Sequence, residues 1–163
     1  MLGGQRTSLP ISTNTSTRMS NSIVTDSSAL VSLISQTDSN HKKALSNAIR
    51  IKNIKKAILI PSEVFAETIN ILGKKFGHKV AVASADEILN SKEYKVVNTL
   101  ENTRLNTFEK FKTQPKSVSF TDCIVMAFAD EYETREIFGF DEVFRKNGYI
   151  RFGIDKSEVK SPK

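Results

Sequence analysis

The chain has 163 residues, 39% of them hydrophobic and 26% charged, a balance that favours one soluble globular domain with its own core. Its 24 Lys and Arg against 18 Asp and Glu give a net charge of +6, which suits a polyanionic partner, although such an excess also serves plain solubility. A single cysteine, Cys123, excludes an intramolecular disulfide, two histidines, His41 and His78, argue against a Cys/His zinc site, and no apolar run spans a bilayer, so no membrane partner is expected.

Residues 1–21 are rich in Ser and Thr, carry Arg6 and Arg18 and no acid, and lack the apolar segment of a secretory signal. They read as a disordered leader ahead of a domain over 22–154, with a frayed tail over 155–163. Residues 23–26, Ile-Val-Thr-Asp, read as a buried strand that delivers a carboxylate to its C-terminal end, and a helix follows over about 28–35. A second helix carries Ala44, Leu45, Ala48 and Ile49 on its predicted inner face.

Residues 57–60, Ala-Ile-Leu-Ile, read as a central strand because they are apolar on both faces. Pro61 suits the start of the next helix, where its missing N–H costs nothing. Val64, Phe65, Ile69, Ile71 and Leu72 form that helix's stripe, and Gly73 to Gly77 is expected to close it. A helix over 80–89, a strand over 94–97 and a charged helix over 100–111 follow, the last with Leu100, Leu105, Phe108 and Phe111 as apolar positions. Ser119-Phe120-Thr121-Asp122 opens another helix, 136–140 forms a fourth strand that delivers Asp141, and a short helix over 142–146 leads to an edge strand over 149–152. This alternation implies an α/β fold with three layers, α/β/α, around a mostly parallel twisted sheet of four to five strands.

Four acids fall at equivalent places in that scheme. Asp26 and Asp141 each follow a strand, Asp122 lies in the first turn of a helix, and Glu67 lies in the second turn after strand two. In a parallel sheet, strand C-termini and the N-termini of the following helices share one edge, where ligands bind. Glu63 competes with Glu67, but Glu67 flanks the apolar stripe, and Glu63 fits a supporting place one turn away. Each acid also has a structural reading: Asp26 and Asp141 suit helix caps, Ser119 with Asp122 matches a capping box, and Glu67 reads as a solvated helix residue. Carboxylates gathered at one edge raise each other's pKa and favour a divalent cation, and oxygen-only donors suit Mg²⁺ or Mn²⁺.

Taken in order, the segments Ile23-Val-Thr-Asp26-Ser-Ser-Ala-Leu, Ile60-Pro-Ser-Glu-Val-Phe-Ala-Glu67-Thr-Ile-Asn-Ile-Leu, Ser119-Phe-Thr-Asp122-Cys-Ile-Val-Met-Ala and Gly139-Phe-Asp141-Glu-Val-Phe resemble the PIN-domain family. Within it they are similar to the toxin ribonucleases of VapBC-type toxin–antitoxin pairs. The resemblance implies a PIN-like nuclease fold and a cytoplasmic, metal-dependent endoribonuclease. Asp26, Glu67, Asp122 and Asp141 would then be its catalytic acids and ligands for Mg²⁺ or Mn²⁺. It also implies RNA as substrate, an antitoxin protein as partner, and a homodimer as a frequent assembly. The family often places Thr or Ser two residues before the last acid, where this chain has Gly139; Ser27 and Thr121 are the candidate replacements. Arg145 and Lys146, just past Asp141, are candidates for contacts to RNA phosphates.

Two other readings stay open. One is a PIN-like binding module with a degenerate centre, which Gly139 and the basic surface allow. The other resembles a response-regulator receiver, but that fold normally carries two adjacent acids after strand one and an Asp after strand three; here Asp26 stands alone and strand three ends in Val97-Asn98.

Overall fold

The computed structural model describes residues 21–156. In chain order the elements are β1 (Ser22–Thr25), α1 (Ser27–Ile34), α2 (His41–Asn53), β2 (Ala57–Pro61), α3 (Ser62–Phe76), α4 (His78–Asn90), β3 (Tyr94–Val97), α5 (Glu101–Lys112), α6 (Phe120–Glu131), β4 (Glu136–Phe138), α7 (Glu142–Lys146) and β5 (Ile150–Arg151). The five strands form one sheet in the order β3-β2-β1-β4-β5, and every pairing is parallel. Crossovers of the usual right hand put α1–α4 on one face and α5–α7 on the other, giving the three layers expected. No helix among the described residues is long and apolar enough to cross a membrane. The expected leader falls almost wholly on residues 1–20, which lie outside the described residues.

The sheet is buried on both faces by the core that its composition predicts. Ile23, Val24, Ile58, Ile60, Ile137 and Phe138 pack with Leu30, Val64, Cys123, Met126 and Phe128 in one cluster. Cys123 is thus a small core residue, and burial, followed by the nearby Asp122 charge, pushes its thiol pKa up. Strand β1 has β2 on one side and β4 on the other, so the strand order reverses at β1. In open parallel sheets that reversal opens a crevice beyond the strand ends. The backbone continues the pairing one step past β1: Asp26 N donates to Phe138 O at 3.0 Å and Thr25 Oγ1 donates to the same carbonyl at 3.1 Å.

Two predicted helix faces are rotated in the structure. Helix α2 buries Ala44, Asn47 and Ile51, while Leu45 and Ile49 are exposed, Ile49 by 60%. Asn47 turns inward because its amide donates to Phe152 O at 2.9 Å, so one buried hydrogen bond outweighs two leucine-sized positions. Helix α5 buries Thr103 and Thr107 against α6 and leaves Leu105 57% and Phe108 51% exposed, with Leu100 and Phe111 outside as well. The threonine hydroxyls are satisfied, Thr107 on Thr103 O at 2.7 Å and Thr103 on the Glu131 carboxylate, so these small side chains allow close helix contact. Phe111 instead meets Phe120 edge to face, with ring centroids 5.4 Å apart.

Smaller differences concern element ends. Pro61 closes β2 and stands just before α3, and α3 continues through Gly73 to Phe76. Gly77 ends it at φ +94, a conformation that costs a glycine little. The loose tail expected from Asp155 begins with a residue that is held, since Asp155 forms a two-point ion pair with Arg151 (3.0 and 2.8 Å); residues 157–163 lie outside the described residues.

Gly139 follows β4 in a space with no room for a side chain. A Cβ built there would stand 2.9 Å from Cε2 of the fully buried Phe144 and 3.2 Å from Asp26 Cβ. The Phe144 ring therefore occupies the place that a hydroxyl residue would need. Gly139→Ala is expected to cost roughly 1–3 kcal/mol by overpacking. In a double-mutant cycle with Phe144→Leu, chemical denaturation should show the pair losing less than the sum of the single changes.

Candidate active site

Asp26 is the best-defined member of the site. It follows β1 at the strand-order reversal and is only 5% exposed. Its side chain does not cap α1; it accepts hydrogen bonds from Ser28 Oγ at 2.6 Å and Ser27 Oγ at 3.5 Å. Burial pushes its pKa up to about 6 from 3.8; the Ser28 hydroxyl opposes this, and the charges of Asp122 and Glu67 add to the rise. Two of the other three predicted acids, Asp122 and Glu67, thus act on Asp26 through their charges. Ser27 makes the longer of these bonds, and Ser28, not singled out in the sequence, makes the shorter.

Asp122 realises the capping box. Its amide donates to Ser119 Oγ at 3.0 Å, and its Oδ2 accepts from Ser119 N at 2.9 Å. Asp141 caps α7, with Oδ1 accepting from Val143 N at 3.0 Å. In both residues the cap engages one carboxylate oxygen and leaves the other free for a ligand, so a cap role and a ligand role are compatible. Asp122 and Asp141 line one groove of about 440 Å³. Thr113, Gln114, Pro115, Ser117 and Val118 supply one wall, and Glu142, Lys146 and Asn147 lie on the other side. Gln114 and Asn147 join the walls by a reciprocal amide pair, at 2.8 and 3.2 Å.

The remaining predicted residues divide. Glu67 is half-buried on α3 and acts on Asp26 through its charge. Glu63 turns toward the loop after β3, where it accepts from Thr99 Oγ1 at 2.5 Å and Ser62 Oγ at 2.9 Å. Partial burial pushes its pKa up, but those hydrogen bonds prevail and hold it below the usual range. It is not among the groups that shift Asp26. Thr121 is half-buried beside Asp122. Lys146 faces the acidic groove, whereas Arg145 is paired with Glu142 at 2.7 Å and lines a different groove. Among the described residues no three His, Cys, Asp or Glu side chains stand close enough together to hold one ion between them. The donor set suits a hard cation that keeps part of its water shell, as Mg²⁺ does with one or two carboxylates.

Sequence reasoning missed the brace around Asp141. Arg151, 8% exposed on β5, donates from Nη1 to Phe140 O at 3.0 Å and pairs through Nη2 with Glu142 at 3.0 Å. It thereby holds the residue on each side of Asp141, and Asp155 holds Arg151 in turn. An arginine in an edge strand carries no sequence signal for such a role.

Comparison with known proteins agrees with this architecture. The model of the PIN domain family matches residues 23–148. Among solved structures, the crystal structure of VapC20 from Mycobacterium tuberculosis, described as a toxin that cleaves the sarcin–ricin loop, matches with a TM-score of 0.69 at 24% sequence identity, over 79% of this chain and 97% of that one. At that identity the likeness is one of fold. A comparison with curated proteins finds no match. A parallel sheet that reverses its strand order at Asp26, together with a family match over most of its length, establishes that this chain belongs to the PIN-domain family.

Proposed function

We propose that the chain is a metal-dependent endoribonuclease of the VapC toxin type, with Asp26, Glu67, Asp122 and Asp141 as its catalytic acids and ligands for Mg²⁺ or Mn²⁺. The observation that carries this reading is Asp26: a carboxylate buried at the strand-order reversal, pushed toward neutrality by burial and by two further acids. A bound divalent ion supplies Lewis-acid stabilisation of a phosphoryl oxygen and a water of lowered pKa. Ser28 fixes the Asp26 carboxylate, the capping box fixes Asp122, and Arg151 braces Asp141. Lys146, on the same groove, is placed to offset phosphate charge. RNA is the proposed substrate, supported by the likeness to a toxin that cleaves the sarcin–ricin loop. An antitoxin protein and a second copy of the chain are the proposed protein partners, and the cytoplasm the compartment.

A second reading, a PIN-like scaffold without catalysis, draws on the lack of a compact metal cluster among the described residues and on the space at Gly139 that Phe144 fills. RNA cleavage with Mn²⁺ or Mg²⁺ separates the two. Asp26→Asn and Asp122→Asn should each lower the cleavage rate on the order of 10²-fold or more, the scale of several kcal/mol of lost transition-state stabilisation. Full activity in both variants would reject the assignment, and a parent that neither cleaves RNA nor binds Mn²⁺ through these acids would favour the scaffold.

The raised pKa of Asp26 also gives a stability signature. With about 6 in the folded state against 3.8 unfolded, this carboxyl takes up a proton on folding between those values. Its stabilising contribution is complete below the unfolded value and is lost as pH rises through the folded one. In chelator, Asp26→Asn should therefore gain on the parent from about pH 4 to about pH 8, by up to roughly 3 kcal/mol. Mn²⁺ should raise the melting temperature of the parent at neutral pH and not that of the variant, a response read by thermal denaturation.

A further inference from the structure

Behind α7, on the side away from the acidic groove, lies a second groove of about 850 Å³. Arg135, Arg145, Arg151 and Lys156 line it, together with Glu142 and Asp155. The two carboxylates are already engaged: Glu142 by Arg145 at 2.7 Å and Arg151 at 3.0 Å, and Asp155 by Arg151 at 2.8 Å. Arg135 and Lys156 make no ion pair among the described residues, and Arg135 is held only by its bonds to Gly148 O. The groove therefore keeps an uncompensated positive charge.

Glu142 lines both grooves, which makes α7 the ridge between them. Consecutive residues of a helix point about 100° apart, since a turn takes 3.6 residues. Lys146 thus faces the acidic groove while its neighbour Arg145 faces the basic one. With side chains a helix is about 10 Å across, a span that a few nucleotides of extended strand cover.

We propose that the second groove binds the sugar–phosphate backbone of single-stranded RNA, and that one strand crosses α7 from the basic groove to the acidic one. The proposal rests on the ribonuclease reading and adds the path of the nucleotides flanking the cleaved bond. Continuity with the acidic groove favours RNA over an acidic protein segment. So does the planar guanidinium fork of Arg135, which matches phosphate oxygens.

The test is the binding of a fluorescently labelled single-stranded RNA to the full chain in chelator, followed by anisotropy across a range of salt. Arg135→Gln and Lys156→Gln should each weaken binding several-fold at low salt. Each should also reduce the slope of log affinity against log salt by about 0.7, the value for one single-strand phosphate contact. The exposed Lys42→Gln, on α2, serves as the control and should change neither. Lys156 is exposed near the end of the described chain, so its variant answers the question even if Arg135→Gln disturbs the Gly148 contact.

Unchanged affinity and slope in both variants would overturn the proposal, as would a parent that binds no RNA. Polyglutamate binding that depends on Arg135 and Lys156 while RNA binding does not would overturn it in favour of an acidic protein partner. The two readings fail separately. A parent that binds RNA with the expected dependence but never cleaves it keeps the groove and loses the nuclease; a parent that cleaves while the variants bind normally keeps the nuclease and loses the groove.

Discussion

A buried negative charge governs this molecule. Asp26 ends the central strand with 5% of its surface exposed, and the fold surrounds it with apolar strands and two more acids. Such a placement opposes stability, because desolvation and like charges both disfavour ionisation. A sequence selected for stability alone would carry an amide or an alanine there. The surrounding devices make sense as ways of tolerating that charge. Ser28 gives it a short hydrogen bond, and the amide of Asp26 extends the ladder to Phe138. Asp122 and Asp141 each engage one oxygen with a helix cap.

The parallel topology converts local signals into a common edge. Each acid sits beside a strand end or a helix start, and the all-parallel order puts those ends on one side of the sheet. This part was legible because it depends on period and punctuation: Ile-Val-Thr before Asp26, the buried run before Pro61, and the Ser-x-x-Asp pattern at Ser119. The capping box and the catalytic reading of Asp122 had looked like rivals, yet its two oxygens allow both.

What stayed hidden depends on contacts between distant residues. The inner face of α2 is set by Asn47 meeting Phe152 O, 105 residues away, and no local pattern shows that an asparagine will displace Leu45 and Ile49 from the core. Helix α5 turns Thr103 and Thr107 inward because short side chains let it approach α6, which reverses the assignment that apolarity alone gives. The absence of a hydroxyl at Gly139 was visible; its cause, the Phe144 ring, was not. Glu63 and Glu67 lie one turn apart, and the Thr99 contact that holds Glu63 comes from another crossover, which no local pattern shows.

The bond between Asp155 and Arg151 links the far end of the described chain to the loop that carries Asp141. Asp155 therefore helps to frame the loop around Asp141. A cut just before Asp155 would leave the four candidate acids in place and remove the carboxylate that steadies the guanidinium bonded to the Phe140 carbonyl.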